Sequence, residues 1–111
     1  MQSFSIGIEW SGDAVHLHVR GELDVARGGD LVERVEALTD SSARVFLIDL
    51  SEVSFIDSSG LRSLLAAQRA VHEVEGLEVL LVRPPRVVRD VMALTGADRL
   101  LRVGDAPAPR L

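Results

Sequence analysis

The chain contains no cysteine, which excludes a disulfide framework, a thiol nucleophile and a thiolate metal site. Lysine is absent too: all twelve basic residues are arginine, set against seventeen acids for a formal charge of −5. General nucleic-acid binding depends on a basic surface, so this balance argues against it. Asparagine and tyrosine are also missing, a bias that fits a GC-rich genome and carries no mechanism. No apolar run approaches the ~20 residues of a membrane span, and the amino terminus lacks a basic region followed by an apolar core. The simplest expectation is a soluble, cytoplasmic protein. The three histidines, His16, His18 and His72, do not share ligand spacing. His16 and His18 alternate with Val15, Leu17 and Val19, which places them on the opposite strand face, as solvated or edge-facing residues rather than metal ligands.

What is present is one domain's worth of chain, 111 residues, with 47% hydrophobic side chains. That suffices to bury a core without staples. Phe4, Ile6, Ile8 and Trp10 alternate with small or polar residues, as do Val15, Leu17 and Val19. Two half-buried strands joined by Ser11-Gly12-Asp13 make a hairpin. Gly21-Glu22-Leu23-Asp24 leads into a helix from about Val25 to Leu38, with Asp24 as a natural N-cap and Leu31, Val32, Val35 and Leu38 as its buried stripe. Gly28 and Gly29 each cost about 1 kcal/mol in a helix, so irregular first turns are expected there.

The chain is organised around the stretch from Arg44 to Arg69. Val45 to Leu50 is an almost unbroken apolar run, the mark of a central strand covered on both faces. From Ser58 the pattern turns helical. Leu61, Leu64, Leu65, Gln68 and Val71 share one side, and Arg62, Ser63, Ala66, Arg69 and Glu73 the other. That helix should end near Glu75-Gly76. Glu78 to Val82 reads as a further strand, Pro84-Pro85 opens a third helix that Gly96 closes, and Leu100, Leu101 and Val103 offer a short edge strand. The predicted order is β-β-α-β-α-β-α-β, an α/β domain with a mixed sheet of four to five strands over residues 1–104. Residues 105–111, with Pro107 and Pro109, read as a flexible tail.

Between the central strand and the second helix stands Asp57-Ser58-Ser59-Gly60. As plain structure this is a helix cap. It also sets two hydroxyls at the positive end of a helix dipole, where a phosphate of about −1.5 to −2 charge is tolerated and alters the surface.

The run Ser51-Glu-Val-Ser-Phe-Ile-Asp-Ser-Ser-Gly-Leu61, with Gly21-Glu-Leu-Asp24 upstream, resembles the signature of STAS domains, specifically the stand-alone anti-sigma factor antagonists of bacteria. The likeness spans most of residues 5 to 103. It implies the STAS fold, with helices packed mainly on one face of the sheet, and a part in partner switching, the control of transcription in stress response or sporulation. It implies that Ser58, directly after the aspartate, is the phosphorylation site. The partner-facing surface would comprise Asp24, Asp57, Ser59, Gly60, Arg62, Ser63 and Ala66, with Gly60 letting the partner's backbone come close. In the family the partner is an anti-sigma factor that is also a serine kinase using ATP. A metal-dependent serine phosphatase resets the switch, and the antagonist itself, a monomer or weak dimer, needs no cofactor. STAS domains also serve as constitutive scaffold subunits of phospholipid-trafficking ABC transporters or of stress-signalling assemblies, and that is the alternative reading.

Catalysis has little to stand on. G-x-S-x-G is absent, and His72 lies about four helical turns beyond Ser58, ~20 Å at ~1.5 Å per residue. No phosphate-binding loop for a nucleotide occurs. Asp49, Glu52 and Asp57 hint at a Mg²⁺ site, but no lysine or second acidic pair completes it, and solvated loop acids are the better account. No catalytic or metal-binding residue is assigned.

Overall fold

The computed structural model describes residues 3–104, so the expected tail over 105–111 lies outside the described residues. Nine elements follow in order: β1 (Ser5–Ser11), β2 (Ala14–Leu23), α1 (Val25–Leu38), β3 (Val45–Ile56), α2 (Ser58–His72), β4 (Glu78–Val82), α3 (Arg86–Thr95), a 3₁₀ turn (Ala97–Arg99) and β5 (Val103–Gly104). The sheet order is β1-β2-β3-β4-β5; β1 and β2 run antiparallel and the remaining pairs are parallel. The hairpin turns on Gly12 at φ +61°, the left-handed value that a type II′ turn needs at its first central residue.

The alternation in the strands decides what covers the sheet. Val15, Leu17 and Val19 of β2, Phe46, Ile48 and Leu50 of β3, and Val79 and Leu81 of β4 form one cluster with Leu31 and Val35 of α1, Leu61, Leu64 and Val71 of α2, and Val88 and Met92 of α3. The helices thus pack on one face. Residues of opposite parity, among them His16, His18 and Asp49, face away from them.

The central strand is longer than its apolar run. It continues through Ser51-Glu52-Val53-Ser54 to Ile56, still paired with β2 as far as Leu23↔Ile56. Two bulges, each adding one residue to β3, make twelve residues run beside ten. The second skips Ser54 (Gly21↔Val53, then Glu22↔Phe55). It breaks simple alternation, so that Val53 and Ile56 are buried while Phe55 turns out.

Helix α1 is regular from its first turn, contrary to the expectation from its glycines. Gly28 is buried against α2, and an added Cβ would stand 2.7 Å from the Ser63 Cβ and closer still to its hydroxyl. The glycine is the contact point of the two helices. Helix α2 ends at His72, earlier than expected, and Gly76 at φ +87° shapes the turn that follows. Gln68 does not merely extend the apolar stripe. Its amide donates to the Leu100 carbonyl at 2.8 Å and accepts from the Arg102 N–H at 2.8 Å, tying the last segment to α2 as another backbone would.

Candidate functional site

Because Leu23 and Ile56 are direct neighbours in parallel strands, the residues after them, Asp24 and Asp57, start two helices side by side. Asp24 accepts from the N–H groups of Ala26 and Arg27, both at 3.1 Å, and from the Arg27 guanidinium at 2.6 Å. Partial desolvation raises its pKa, but the Arg27 N–H, the Arg27 hydrogen bond and charge, and the Ala26 N–H outweigh this. The carboxyl is held below the ordinary aspartate value. Asp57 accepts from the Gly60 N–H at 2.8 Å. Each strand end therefore presents a carboxylate fixed by the helix it caps.

Ser58 is the first residue of α2 and exposed; Ser59 is half-buried, and its carbonyl accepts from the Ser63 hydroxyl at 3.1 Å. Arg62, one turn on, is exposed, and Ala66 is half-buried. The structure thus gathers Asp24, Asp57, Ser58, Ser59 and Arg62 at the carboxyl end of the parallel strands.

Two of the expected partner-facing residues turn inward. Gly60 is buried, and a side chain there would stand 2.8 Å from Ile56 Cγ1 and overlap the Leu23 carbonyl. The backbone it lets approach is the chain's own. Ser63 is half-buried and set against Gly28 of α1, so its place is the contact between helices. Helical periodicity separates apolar from polar faces, but it does not say which polar face meets a second helix.

Three residues at this end escaped the sequence reading. Arg27 completes the Asp24 cap; a basic residue three positions after an acid was the available signal. Val25 at the start of α1 is 76% exposed and Phe55 at the end of β3 is 46% exposed. Only the bulge at Ser54 explains Phe55.

The acids considered for a metal are engaged elsewhere. Asp49 is 3% exposed and no solvated loop acid. It pairs with Arg83, accepts from the Ser51 N–H at 2.9 Å and has His18 Nδ1 at 3.4 Å. Burial raises its pKa, but the Arg83 hydrogen bond, the Ser51 backbone and hydroxyl, and the Arg83 charge pull it below the usual range; Asp49 in turn raises that of Arg83. Glu52 pairs with Arg20. His16 and His18 lie on the sheet face away from the helices, with rings stacked 6.2 Å apart.

A family model described as "Mlab, STAS domain" matches residues 6–102. The chain belongs to the STAS domain family. This STAS domain is 28% identical, over 91 residues, to the anti-sigma-B factor antagonist of Listeria monocytogenes, covering 82% of the chain and 79% of that relative. A solved anti-sigma factor antagonist from Mycobacterium paratuberculosis is 26% identical with a TM-score of 0.76, covering 96% of this chain and 87% of that one. SpoIIAA is similar in fold in its unphosphorylated form (23% identity, TM-score 0.73, 93% and 89% covered). So is Bacillus SpoIIAA in its phosphorylated form (22% identity, TM-score 0.68, 93% and 92% covered). Five strands and three helices in this order are the STAS architecture expected from the sequence. Among the described residues no helix is long and apolar enough to cross a membrane.

Proposed function

We propose that this STAS domain is an anti-sigma factor antagonist whose docking is switched off by phosphorylation of Ser58. The observation that carries the reading is the exposed Ser58 hydroxyl at the first position of α2, beside the fixed carboxylate of Asp57 and the neighbouring cap of Asp24. Relatives named as anti-sigma factor antagonists, and a fold relative described in a phosphorylated form, support it.

Unphosphorylated, the surface of Asp24, Asp57, Ser58, Ser59 and Arg62 docks on an anti-sigma factor that is also a serine kinase, and the sigma factor is released. The exposed side chains of Val25 and Phe55 give that surface an apolar component. A phosphoryl group on Ser58 adds about −1.5 to −2 charge. The helix dipole offsets part of it within the domain. A partner would still have to desolvate a dianion next to two carboxylates, which costs several kcal/mol, orders of magnitude in affinity. The fold need not change. Hydrolysis by a metal-dependent serine phosphatase restores docking. The ATP belongs to the kinase.

Incubated with its cognate kinase and ATP, the wild type should gain one phosphoryl group and Ser58→Ala none, read by intact-protein mass. Equal labelling of the two assigns the site elsewhere. A kinase that neither modifies nor releases the domain favours the constitutive scaffold subunit instead.

A further inference from the structure

The outer edge of β1 is unpaired among the described residues, and its sequence is complementary to itself. Written antiparallel about Ile8, Ser5-Ile6-Gly7-Ile8-Glu9-Trp10-Ser11 sets Ser5 opposite Ser11, Ile6 opposite Trp10, Gly7 opposite Glu9 and Ile8 opposite Ile8. Apolar meets apolar on the helix-covered side, where Ile6 and Ile8 already pack against the core. Small or polar residues meet on the other side. Glu9, the one charged residue of the strand, faces a glycine rather than a second acid, so no like charges are directly opposed. Trp10, the chain's single tryptophan, is 47% exposed.

Beside this edge runs a groove of about 350 Å³ between β1 and α1, with Phe4, Ile6 and Ala37 in its lining and the charged Asp30, Glu33 and Arg34 alongside. We infer that the occupant of this edge is a second copy of the chain. Pairing the two β1 strands antiparallel sets the Trp10 of each copy beside Ile6 of the other, at the mouth of the groove. Indole carries only a donor, and the carboxylates of Asp30 and Glu33 are acceptors for it. The result is a continuous ten-stranded sheet with a two-fold axis through Ile8.

The area sets the strength. A seven-residue strand is about 24 Å long at ~3.4 Å per residue, too little to cover the ~800 Å² per partner of a stable complex. The pair is therefore weak and concentration-dependent. Because β1 runs antiparallel to β2, Trp10 lies at the end of the sheet remote from Asp24 and Ser58. Both copies keep their helix ends free.

The register is testable because the chain has no cysteine. Residues directly opposite in an antiparallel pair have Cα atoms ~4.5–5.5 Å apart, within disulfide reach. Ile8→Cys should cross-link to itself on oxidation at high protein concentration. Ser5→Cys and Ser11→Cys, at exposed positions, should cross-link with each other in a mixture and neither with itself. For the unlabelled wild type, sedimentation should show a dimer that grows with concentration, accompanied by a blue shift of Trp10 emission, and Trp10→Ser should weaken it at least about tenfold. A wild type that stays monomeric at millimolar concentration, or cross-links between Ser5→Cys copies alone, overturns the inference.

Discussion

The buried Cα of Gly60 sits against the Leu23 carbonyl, with no room for a Cβ between them. Leu23 ends β2 and Gly60 lies in the first turn of α2, so this approach is what brings the caps Asp24 and Asp57 together. A glycine four residues into a strand-to-helix signature is thus a packing requirement of the domain before it is anything for a partner.

Gly60→Ala should destabilise the domain by about 2–4 kcal/mol. Overpacking costs typically ~1–3 kcal/mol and more where the neighbour is backbone that cannot swing aside. Urea denaturation would read it, with Ser58→Ala, an exposed position, expected within about 0.5 kcal/mol of wild type. Equal stability of Gly60→Ala and wild type would show that α2 can shift to admit the methyl.

The contact of α1 with α2 at Gly28 and Ser63 calls for a swap. Gly28→Ala gains about 1 kcal/mol of helix propensity yet meets Ser63 Cβ at 2.7 Å, so a net loss of about 1–3 kcal/mol is expected. Ser63→Gly should rescue it, because the space returns from the other helix. A double-mutant cycle should give a coupling of at least about 1 kcal/mol; strict additivity would mean the helices separate instead.

The Asp24 carboxylate works as a cap and as a charge, and two substitutions separate these. Asp24→Asn keeps an oxygen for the Ala26 and Arg27 N–H groups, whereas Asp24→Ala leaves them unmet. Asp24→Ala loses the cap and should lower the melting temperature by several degrees; Asp24→Asn should lower it less, because it gives up only the charge and contact with Arg27. If docking depends on the charge, kinase affinity falls in both.

The order of elements, the caps Asp24 and Asp57 and the close of α3 at Gly96 were all legible in the sequence, because each follows from periodicity or from one residue's local chemistry. The rest depended on neighbours distant in the chain. The cost of Gly28 was visible in its own helix, but its use belongs to Ser63, thirty-five residues on. Asp49 reads in the sequence as a solvated acid, because its partner Arg83 follows β4, thirty-four residues on, with φ +52°. The far half of β3 carries polar residues on a bulged backbone, and its partner β2, not its own pattern, makes it a strand.

For Ser58→Asp, the fold and the docking should separate. The substitution places an acid at the first turn of α2, where the dipole favours it by about 0.3–1 kcal/mol, so the melting temperature should hold or rise slightly. Binding to the kinase should fall at least about tenfold by titration calorimetry, since a carboxylate mimics only part of the phosphate's charge. Full-strength binding by a well-folded Ser58→Asp would remove the electrostatic basis of the switch.

Asp49 gives stability a pH dependence of known sign. Its folded pKa lies below the unfolded value of 3.8. The stabilisation from Arg83 and Ser51 is therefore complete above that value and lost as pH falls through the folded pKa. Asp49→Asn should be less stable than wild type near pH 7 by about 1–2 kcal/mol, the ~1.5–3 kcal/mol of a hydrogen bond to a charged group reduced because the partner can rehydrate. Arg83 is such a partner, its side chain being 57% exposed. Denaturation curves at several pH values should show the two proteins converging below pH ~3.8, because protonation neutralises the wild-type carboxyl as the substitution does. A gap that stays constant down to acid would assign the loss to packing around the amide, and the ion pair with Arg83 would then contribute nothing to folding.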